Sequence, residues 1–383
     1  MQNVLIVHNH YRIPGGEDTV ADNEAGLLAT HGHKVIRYTR DNSEKKGKLS
    51  LLLNMFFSFR TYNEIRKIIR REAIDVVHVH NTLFLVSPAV YYAAAAEGVP
   101  VVQTMHNFRL LCPAATFFRN GRVCEECIKH GNKCALKGRC YRGSLIQTAA
   151  VALMNFMHLR NRIYKEVNFI CLTEFNKKKL LLLNRKEMNI EPGKIYIKPN
   201  FTQKPHIKAS DETKPYYLVL GRIERLKGSA LIAKAFAKNG RRLIFAGDGE
   251  QRQALEQYLS RNGINNIECR GQMEHEDAMK LLAGAKALIV APRWYETFGM
   301  TVIEAYSLGV PVIAADFGNP GSLVTDGVTG IKFRNNIKGL NAAIERFETM
   351  DRRKLSENAY DEYMRKYTPE INYKMLKDIY DSL

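Results

Sequence analysis

Two carboxylates and two cations in the second half of the chain have the types and spacing to bind a phosphorylated ligand. Glu296 and Glu304 lie eight residues apart, the first before a predicted helix and the second inside it. Arg222 and Lys227 follow a short apolar run that ends at Gly221. An arginine offers a bidentate fork and a lysine a point charge, which together suit a diphosphate. A carboxylate facing the same ligand can accept hydrogen bonds from its hydroxyl groups.

The elements around Glu296 predict a loop at the carboxyl end of a buried parallel strand. The apolar runs 287–291 and 310–315 are each short enough to be such a strand, and a helical segment lies between them. Open α/β sheets bind ligands at the carboxyl ends of their strands. The backbone N–H groups that begin this helix would form an anion site. They belong to Gly299, Met300 and Thr301.

The spacing of Glu296 and Glu304 resembles the E-x7-E motif of retaining GT-B glycosyltransferases in family 4. The segments 296–300 and 309–314 add to the match, and 221–228 resembles the Gly-Arg to Lys-Gly element of the same family. The resemblance implies an α/β fold of GT-B type, in which two Rossmann-like domains with parallel sheets face each other across a cleft. Alternation of strands and helices along both halves of the chain agrees with this fold class.

The resemblance also implies roles for these residues. Arg222 and Lys227 would neutralise the donor diphosphate as it leaves, together with the helix N–H groups, so that no catalytic cofactor is expected. Glu296 would hold the donor sugar and Glu304 the ribose. Retention without an enzyme nucleophile implies front-face attack, in which the departing phosphate takes the acceptor proton.

Loops in the first half carry the other site candidates. A strand runs into Gly15, Gly16 and Glu17 before a helix, which is an arrangement that brings backbone N–H groups against a ligand. By resemblance the two glycines bind the donor and Glu17 lies on the acceptor side, whereas a glycine pair alone is more often a plain turn. His106 follows the strand 99–104, and by resemblance it contacts the donor sugar or its phosphate. A lone histidine there would more often be structural.

The pattern predicts two domains and a crossing helix. The first domain, at 1–202, carries a cysteine-rich insertion at 110–142. A segment with little periodicity at 203–215 is predicted as the linker. The nucleotide-sugar domain is predicted at 216–360, and the tail at 361–383 is a helix that crosses back to the first domain by resemblance.

The insertion at 110–142 has the residues for a structural zinc site. Cys124 and Cys127 have the C-x2-C spacing of a zinc hairpin, and Cys112 with Cys140 could complete a tetrahedral site of four thiolates. Cys134 could replace either outer ligand. The alternative is that these cysteines are free thiols in an ordered loop. A redox role is disfavoured because no βαβ pattern of thioredoxin type surrounds the pair.

The charge of the chain favours anionic partners. The net charge is +18, with 45% hydrophobic and 25% charged residues. Such a surface suits nucleic acid, anionic lipid or polyphosphate ligands. The basic residues lack interleaved aromatic residues and no nucleic-acid motif is present, so nucleic acid is not expected. The segment 49–71 is predicted as a helix with apolar bulk and a basic side, which lies either on an anionic membrane surface or on the sheet.

The chain is therefore predicted to be a hexosyltransferase. It would move a sugar from a UDP- or GDP-sugar to a saccharide or lipid-linked acceptor in surface polysaccharide assembly. The alternatives are a GT-B nucleotide-sugar epimerase and a basic protein that binds nucleic acid or a membrane surface. Asn3 to Val7 is predicted as a first strand instead of a leader. The sequence has no run of about 18 apolar residues, which a membrane-spanning helix would need. Its seven cysteines favour a reducing compartment. We therefore expect a cytoplasmic enzyme, peripheral on the inner face of the membrane.

Overall fold

The computed structural model divides the chain into two compact units. It describes residues 1–11, 15–43, 48–183, 190–205, 207 and 215–383. Unit 1 comprises Met1–Arg119, Cys124–Pro199 and Tyr373–Leu383, and unit 2 comprises Asn120–Val123 and Asn200–Asn372. Most of the segment predicted as a linker, 203–215, lies outside the described residues.

Unit 1 is built on a parallel sheet. Its strands are β1 (Asn3–His10), β2 (Lys34–Asp41), β3 (Val76–Val79), β4 (Val101–Thr104), β7 (Val167–Cys171) and β8 (Ile195–Ile197). Two further short strands are β5 (Phe118–Arg119), in unit 1, and β6 (Arg122–Val123), in the short segment assigned to unit 2. The six strands are ordered β2-β1-β3-β4-β7-β8 and all pair in parallel. Every residue of β3 and β7 is buried, as expected for strands covered on both faces.

Eight helices surround and extend this sheet within the described part of unit 1. They are α1 (Gly16–Thr30), α2 (Lys48–Phe56), α3 (Phe59–Glu72), α4 (Ala89–Ala96), α5 (Glu126–His130), α6 (Lys133–Lys137), α7 (Leu145–Arg160) and α8 (Glu174–Leu183). The prediction of one helix over 49–71 is wrong, because the segment forms α2 and α3. Ser58 begins the second helix: its hydroxyl accepts a hydrogen bond from the Thr61 N–H at 3.2 Å.

Unit 2 contains the second parallel sheet. Its strands are β9 (Tyr217–Leu220), β10 (Leu243–Ala246), β11 (Ile267–Gly271), β12 (Leu288–Val290), β13 (Val312–Ala315) and β14 (Gly330–Phe333). They are ordered β11-β10-β9-β12-β13-β14. Counted from β9, this order is 3-2-1-4-5-6, the arrangement of the Rossmann fold. The strand order therefore reverses between β9 and β12, and the prediction of two α/β domains with parallel sheets is confirmed.

The helices of unit 2 cover its sheet. They are α9 (Ser229–Asn239), α10 (Arg252–Arg261), α11 (His275–Ala283), α12 (Met300–Ser307), α13 (Gly318–Leu323), α14 (Ile337–Glu348), α15 (Arg352–Lys366) and α16 (Pro369–Asp381), of which α16 passes into unit 1. The core combines sheet residues such as Phe245 and Ile313 with Phe236 of α9 and Ile344 of α14, all fully buried. Apolar faces on a helix and a buried sheet account for this packing.

The last residues of the chain complete the core of unit 1. Leu376, Ile379 and Tyr380 of α16 are buried against Val4 of β1 and Val76 of β3. The Tyr380 hydroxyl also lies 2.7 Å from Nδ1 of the buried His78. Within the described ranges, the model contains no helix with the length and apolar character to span a membrane.

Gly228, at the start of α9, allows the β9 and β12 loops to approach closely. Its φ of +77° is in the left-handed region, and an added Cβ would lie 2.1 Å from the Ala291 carbonyl oxygen. Gly240, at the end of α9, has a φ of +70°, and nothing lies within 4 Å of its added Cβ. The two glycines therefore share their backbone conformation and differ in the space around them.

We predict that Gly228→Ala lowers the melting temperature far more than Gly240→Ala. Left-handed backbone strain should cost about 1–2 kcal/mol in both variants. Overpacking against Ala291 should add about 1–3 kcal/mol in Gly228→Ala alone. Thermal unfolding followed by circular dichroism measures the difference, and equal melting temperatures for the two variants would contradict the close approach.

Candidate active site

The loops after β9 and β12 lie at the point where the strand order of unit 2 reverses. The loop after β9 runs over 221–228 and the loop after β12 over 291–299. The Arg293 N–H donates to the Leu226 carbonyl at 2.8 Å, so the backbones of the two loops are joined directly. Ligands of open α/β sheets bind at this reversal, so the geometry makes these loops the primary candidate site.

An ion pair connects the two loops. Lys227 Nζ lies 2.5 Å from Glu296 Oε1, and the two side chains are 29% and 18% exposed. The Asn319 amide donates to the Glu296 backbone carbonyl at 2.6 Å, which fixes the loop from α13. The Lys227 ammonium has three N–H donors, so it can also bind a phosphate oxygen, and Glu296 is a counterion that the fold itself supplies.

Arg222 occupies a more exposed place in the β9 loop. Its side chain is 69% exposed, and its guanidinium lies 2.8 Å from Glu224 in the same loop. The preceding Gly221 has a φ of +119°, which a residue with a side chain rarely adopts. Nothing lies within 4 Å of a Cβ added at Gly221, so the backbone here is open to a ligand.

The start of α12 supplies backbone donors to the same loop. Gly299 is its N-cap, with a φ of +124°, and a Cβ there would meet Pro320 of α13 at 3.3 Å. The N–H groups of Met300 and Thr301 belong to the first turn, where the helix offers no carbonyl partner. They can therefore donate to an anion.

Glu304 lies one turn into α12. It is largely covered, and burial raises the pKa of its carboxyl group, while His275 at the start of α11 acts in the opposite direction. A covered carboxyl group keeps its hydrogen-bonding capacity and loses competing water. It is therefore suited to hold ligand hydroxyl groups.

The first loop of unit 1 is fixed by Asp18. Its carboxylate accepts from the Gly15 N–H at 2.8 Å and lies 2.8 Å from His8 Nε2 and 3.1 Å from His10 Nδ1. A Cβ added at Gly16 would meet nothing within 4 Å. The fold thus leaves the space above Gly16, at the start of α1, open to a ligand.

Glu17 is set in a polar pocket of unit 1. Its Oε2 accepts from the Tyr11 hydroxyl at 3.2 Å and from the Asn107 amide at 3.4 Å. Burial raises the pKa of the Glu17 carboxyl to about 7, although the charge of Arg109 and both hydrogen bonds act in the opposite direction. The group therefore changes its charge near neutral pH.

His106 belongs to a buried polar network under the carboxyl ends of β3 and β4. Its Nε2 lies 2.8 Å from Nδ1 of His80, whose own Nε2 lies 3.5 Å from Glu24 of α1. Burial lowers the pKa of His106 to about 3, so the imidazole is neutral. Lys198 forms an ion pair with Glu24, and both side chains are fully buried.

Two groups of three side chains have ligand atoms close enough for a metal ion in the part of the chain that the structure describes. They are His8, His10 and Asp18, and Glu24, His78 and His80, with all ligand atoms of a group within 4.8 Å of one another. Asp18 already accepts from the α1 cap and Glu24 is neutralised by Lys198. Contacts within the protein therefore explain why the side chains of each group lie close together.

The structure brings the predicted residues together in two sets. In unit 2, one set contains Gly221, Arg222, Lys227, Glu296, Gly299, Met300, Thr301 and Glu304, on the two loops and on α12. In unit 1, the other set contains Gly15, Gly16 and Glu17 after β1, and His106 after β4. Each set follows the carboxyl ends of its own sheet.

Several contributing residues were not predicted. Asn319 lies where the pattern assigned no role, yet it is fully buried and fixes Glu296. The Glu24–Lys198 pair joins residues 174 positions apart. A charged residue inside an otherwise apolar helix face was the available signal for Glu24, whereas nothing local marks Lys198 as its partner.

Two family models match the chain. Residues 200–362 match the model described as glycosyl transferases group 1, and residues 14–123 match the model described as glycosyltransferase family 4. Together they cover unit 2 for most of its length and the β1, β3 and β4 loops of unit 1.

Named relatives are similar over parts of their length. An alpha-D-kanosaminyltransferase of Streptomyces kanamyceticus is 25% identical over 70% of this chain and 66% of that protein. Sucrose synthase 1 of Hordeum vulgare is 28% identical over 32% of this chain and 18% of that protein. A 2-deoxystreptamine N-acetyl-D-glucosaminyltransferase of Niallia circulans is 30% identical over 43% of this chain and 44% of that protein. The match thus spans less than two thirds of each relative.

Solved structures share the fold over the whole chain. The Anabaena protein Alr3699/HepE, crystallised with UDP and glucose, superposes with a TM-score of 0.69 at 16% identity and covers 100% of both chains. A sucrose-phosphate synthase from Thermosynechococcus elongatus superposes with a TM-score of 0.71 at 15% identity, over 100% of this chain and 99% of that one. The GT-B fold is therefore confirmed.

The environment of Glu17 gives a pH prediction. The unfolded carboxyl ionises near its ordinary pKa of 4.5 and the folded one near 7. Between these values the folded state binds more protons, so stability contributed by this group falls as pH rises. The melting temperature of Glu17→Gln should fall less than that of the wild type between pH 5 and 7.5. Glu345→Gln, exposed on α14, is the control, and parallel profiles for Glu17→Gln and wild type would contradict the assignment.

Proposed function

The chain belongs to the group 1 glycosyltransferases, and we propose that it transfers a hexosyl group from a nucleoside-diphosphate sugar to a saccharide or lipid-linked acceptor with retention of configuration. One observation carries the proposal. Lys227, Glu296 and the first N–H groups of α12 converge where the strand order of unit 2 reverses. That convergence supplies a diphosphate site and a carboxylate for a sugar on adjoining loops.

The donor diphosphate would bind to Arg222, Lys227 and the N–H groups of Met300 and Thr301. Arg222 is exposed enough to close on a ligand, and Lys227 is already positioned by Glu296. When the diphosphate binds, Lys227 turns to a phosphate oxygen and Glu296 is released to accept from sugar hydroxyls. UDP and UDP-glucose complexes of the Anabaena structure support a uridine or similar nucleotide.

The transfer step balances without an enzyme nucleophile. The bond between the sugar anomeric carbon and the phosphate oxygen breaks, and a bond to the acceptor oxygen forms on the same face. The acceptor hydroxyl proton moves to the departing phosphate oxygen. Fixed cations and N–H groups stabilise the charge that develops on the leaving diphosphate. Removing one such donor lowers the catalytic rate about 10²–10³-fold.

We assign the unit 1 residues to substrate positioning. Neutral His106 can hydrogen-bond a hydroxyl or phosphate group, since its pKa lies far below neutrality. Gly15 and Gly16 leave open space for a ligand, and Glu17 provides a carboxyl group beside them for the acceptor. These roles follow the resemblance and the geometry of unit 1.

Nucleotide binding tests the donor site directly. We expect one nucleoside diphosphate among UDP, GDP and ADP to raise the melting temperature of the wild type. Arg222→Ala and Glu304→Ala should each weaken that nucleotide's binding about tenfold or more in calorimetric titration, because they remove a diphosphate contact and a ribose contact. Lys234→Ala, exposed on α9 away from the loops, should bind like the wild type.

Product analysis separates transfer from other reactions of the same donor. Nuclear magnetic resonance of the product should show the anomeric configuration of the donor, and Lys227→Ala should lower kcat/KM by about 10²–10³. An inverted product would refute retention. Conversion of the donor to an epimer without any acceptor, or a wild type that binds no nucleotide, would refute the transferase assignment.

Unit 1 carries an exposed apolar face suited to a membrane surface. The face lies along α7, where Ile146 is 78%, Phe156 53% and Met157 42% exposed. The opposite face of α7 is buried against Met55 of α2, through Val151 and neighbouring residues. Leu153, 51% exposed, lies between them in the helix, and the spacing of Ile146, Leu153 and Met157 by seven and four residues makes one continuous stripe.

Basic residues border this stripe, and they support our proposal that its partner is an anionic lipid surface. Arg142 precedes α7, and Arg160 with Arg162 ends it, all three exposed. Apolar residues between arginines fit the boundary between acyl chains and acidic head groups. A lipid-linked acceptor, of the kind used in surface polysaccharide assembly, would be presented at such a surface.

Vesicle flotation tests the stripe. Met157→Glu should reduce retention on vesicles with anionic lipid at least about threefold, because it places a charge in the apolar boundary. Met364→Glu is the matched control, since Met364 is 46% exposed on α15 of unit 2. Equal retention of the two variants, or binding of the wild type to neutral vesicles alone, would contradict the assignment.

A further inference from the structure

Five cysteines of unit 1 surround a single cavity. Cys112, Cys124, Cys127, Cys134 and Cys140 all line it, together with Arg119 and Glu126. All five are free thiols. The remaining two cysteines, Cys171 and Cys269, lie elsewhere in the chain. The glycosyltransferase reaction proposed above uses none of these thiols.

The elements that carry the five cysteines are too short to be stable alone. Cys127 and Cys134 lie on the helices α5 and α6, with five residues each, and Cys112, Cys124 and Cys140 lie in loops. A few backbone bonds fold them together, such as the Cys124 N–H to the Phe117 carbonyl at 2.7 Å. Small segments of this kind usually depend on a cross-link or a metal ion.

Side-chain hydrogen bonds in the cavity involve three of the thiols, Cys112, Cys127 and Cys140. The Cys112 and Cys127 side chains hydrogen-bond to each other, and Cys124 forms the C-x2-C pair with Cys127. The Cys140 thiol is hydrogen-bonded to Arg119. A Cβ added at Gly138 would lie 2.7 Å from the Cys140 sulfur and 2.7 Å from Arg119 Cδ, so the glycine leaves room for these two side chains.

We propose that Cys112, Cys124, Cys127 and Cys140 bind one zinc ion as a structural site. Four thiolates around Zn²⁺ form a closed tetrahedral site, and soft sulfur ligands select zinc over hard cations. The complex carries net negative charge, which the Arg119 guanidinium beside Cys140 offsets. Cys134 lines the cavity as a fifth thiol and stays outside the coordination sphere.

Binding requires a local adjustment of the thiols. Among the described residues, no three of the cysteine sulfur atoms lie within 4.8 Å of one another. Rotation about the Cα–Cβ bonds between staggered rotamers moves each sulfur without changing the backbone. The metal would thus draw together side chains that already face one cavity, and it would stabilise the segment 110–142.

Metal analysis of the whole chain tests the site. We expect about one zinc per chain by mass spectrometry of protein purified without chelators. Cys112→Ser, Cys124→Ser, Cys127→Ser and Cys140→Ser should each lose most of it. Cys134→Ser, from the same cavity, and Cys269→Ser, from unit 2, should keep it. A strong chelator should lower the melting temperature of the wild type and of Cys269→Ser.

A second measurement avoids variants that fail to fold. Wild-type protein exchanged with Co²⁺ should show the intense visible and charge-transfer absorption of tetrahedral cobalt thiolate. Wild-type protein without zinc and without these bands would overturn the proposal, as would iron with labile sulfide in place of zinc. Loss of zinc from Cys134→Ser would overturn the ligand set, and paired loss of two thiols on titration would indicate a disulfide.

Discussion

The close contact between the β9 and β12 loops is the constraint on which the candidate site depends. Gly228 has no side chain, so the β9 loop can pass against the Ala291 carbonyl. The Arg293 N–H then bonds to Leu226. Only after this approach can Lys227 reach Glu296, since the two residues come from strands on either side of the order reversal. The ion pair is therefore a product of backbone packing.

Unit 1 solves a different electrostatic problem. It buries an ion pair, Glu24 with Lys198, beside His78 of β3 and the following His80. Burying a carboxylate without a cation would cost a large free energy, whereas the Glu24–Lys198 pair has almost no net charge. In that setting His80 and His106 lose their charge, and the hydrogen bond between them orients the His106 ring. The network therefore keeps His80 and His106 uncharged and fixes the orientation of their rings.

Local patterns were enough to predict the loops that follow β9 and β12 in unit 2. The apolar runs, the glycines and the charged residues after them identified these loops, because strand, turn and helix are encoded within about twenty residues. The two helices at 48–72 were predicted as one because Phe57 and Phe59 continue the apolar pattern, and the capping role of Ser58 was overlooked.

Partners that are distant in the sequence could not be predicted in the same way. Asn319 fixes Glu296 across 23 positions, and Lys198 reaches Glu24 across 174. Such pairs depend on how helices pack on the sheet, and many side chains of the same type compete for each partner. Lys227 was likewise predicted only as a ligand of the diphosphate. The fold also pairs it with the Glu296 carboxylate.

The path of the chain has a consequence for handling the protein. Unit 1 is completed by Tyr373–Leu383, after the chain has already built unit 2. Residues 373–383 and most of 1–199 thus belong to one folding unit, and the main part of unit 2 lies between them in the sequence. Removing the final helix would strip Leu376 and Tyr380 from the sheet whose first strand begins at Asn3. A clipped carboxyl terminus would therefore impair the half of the molecule that is synthesised first.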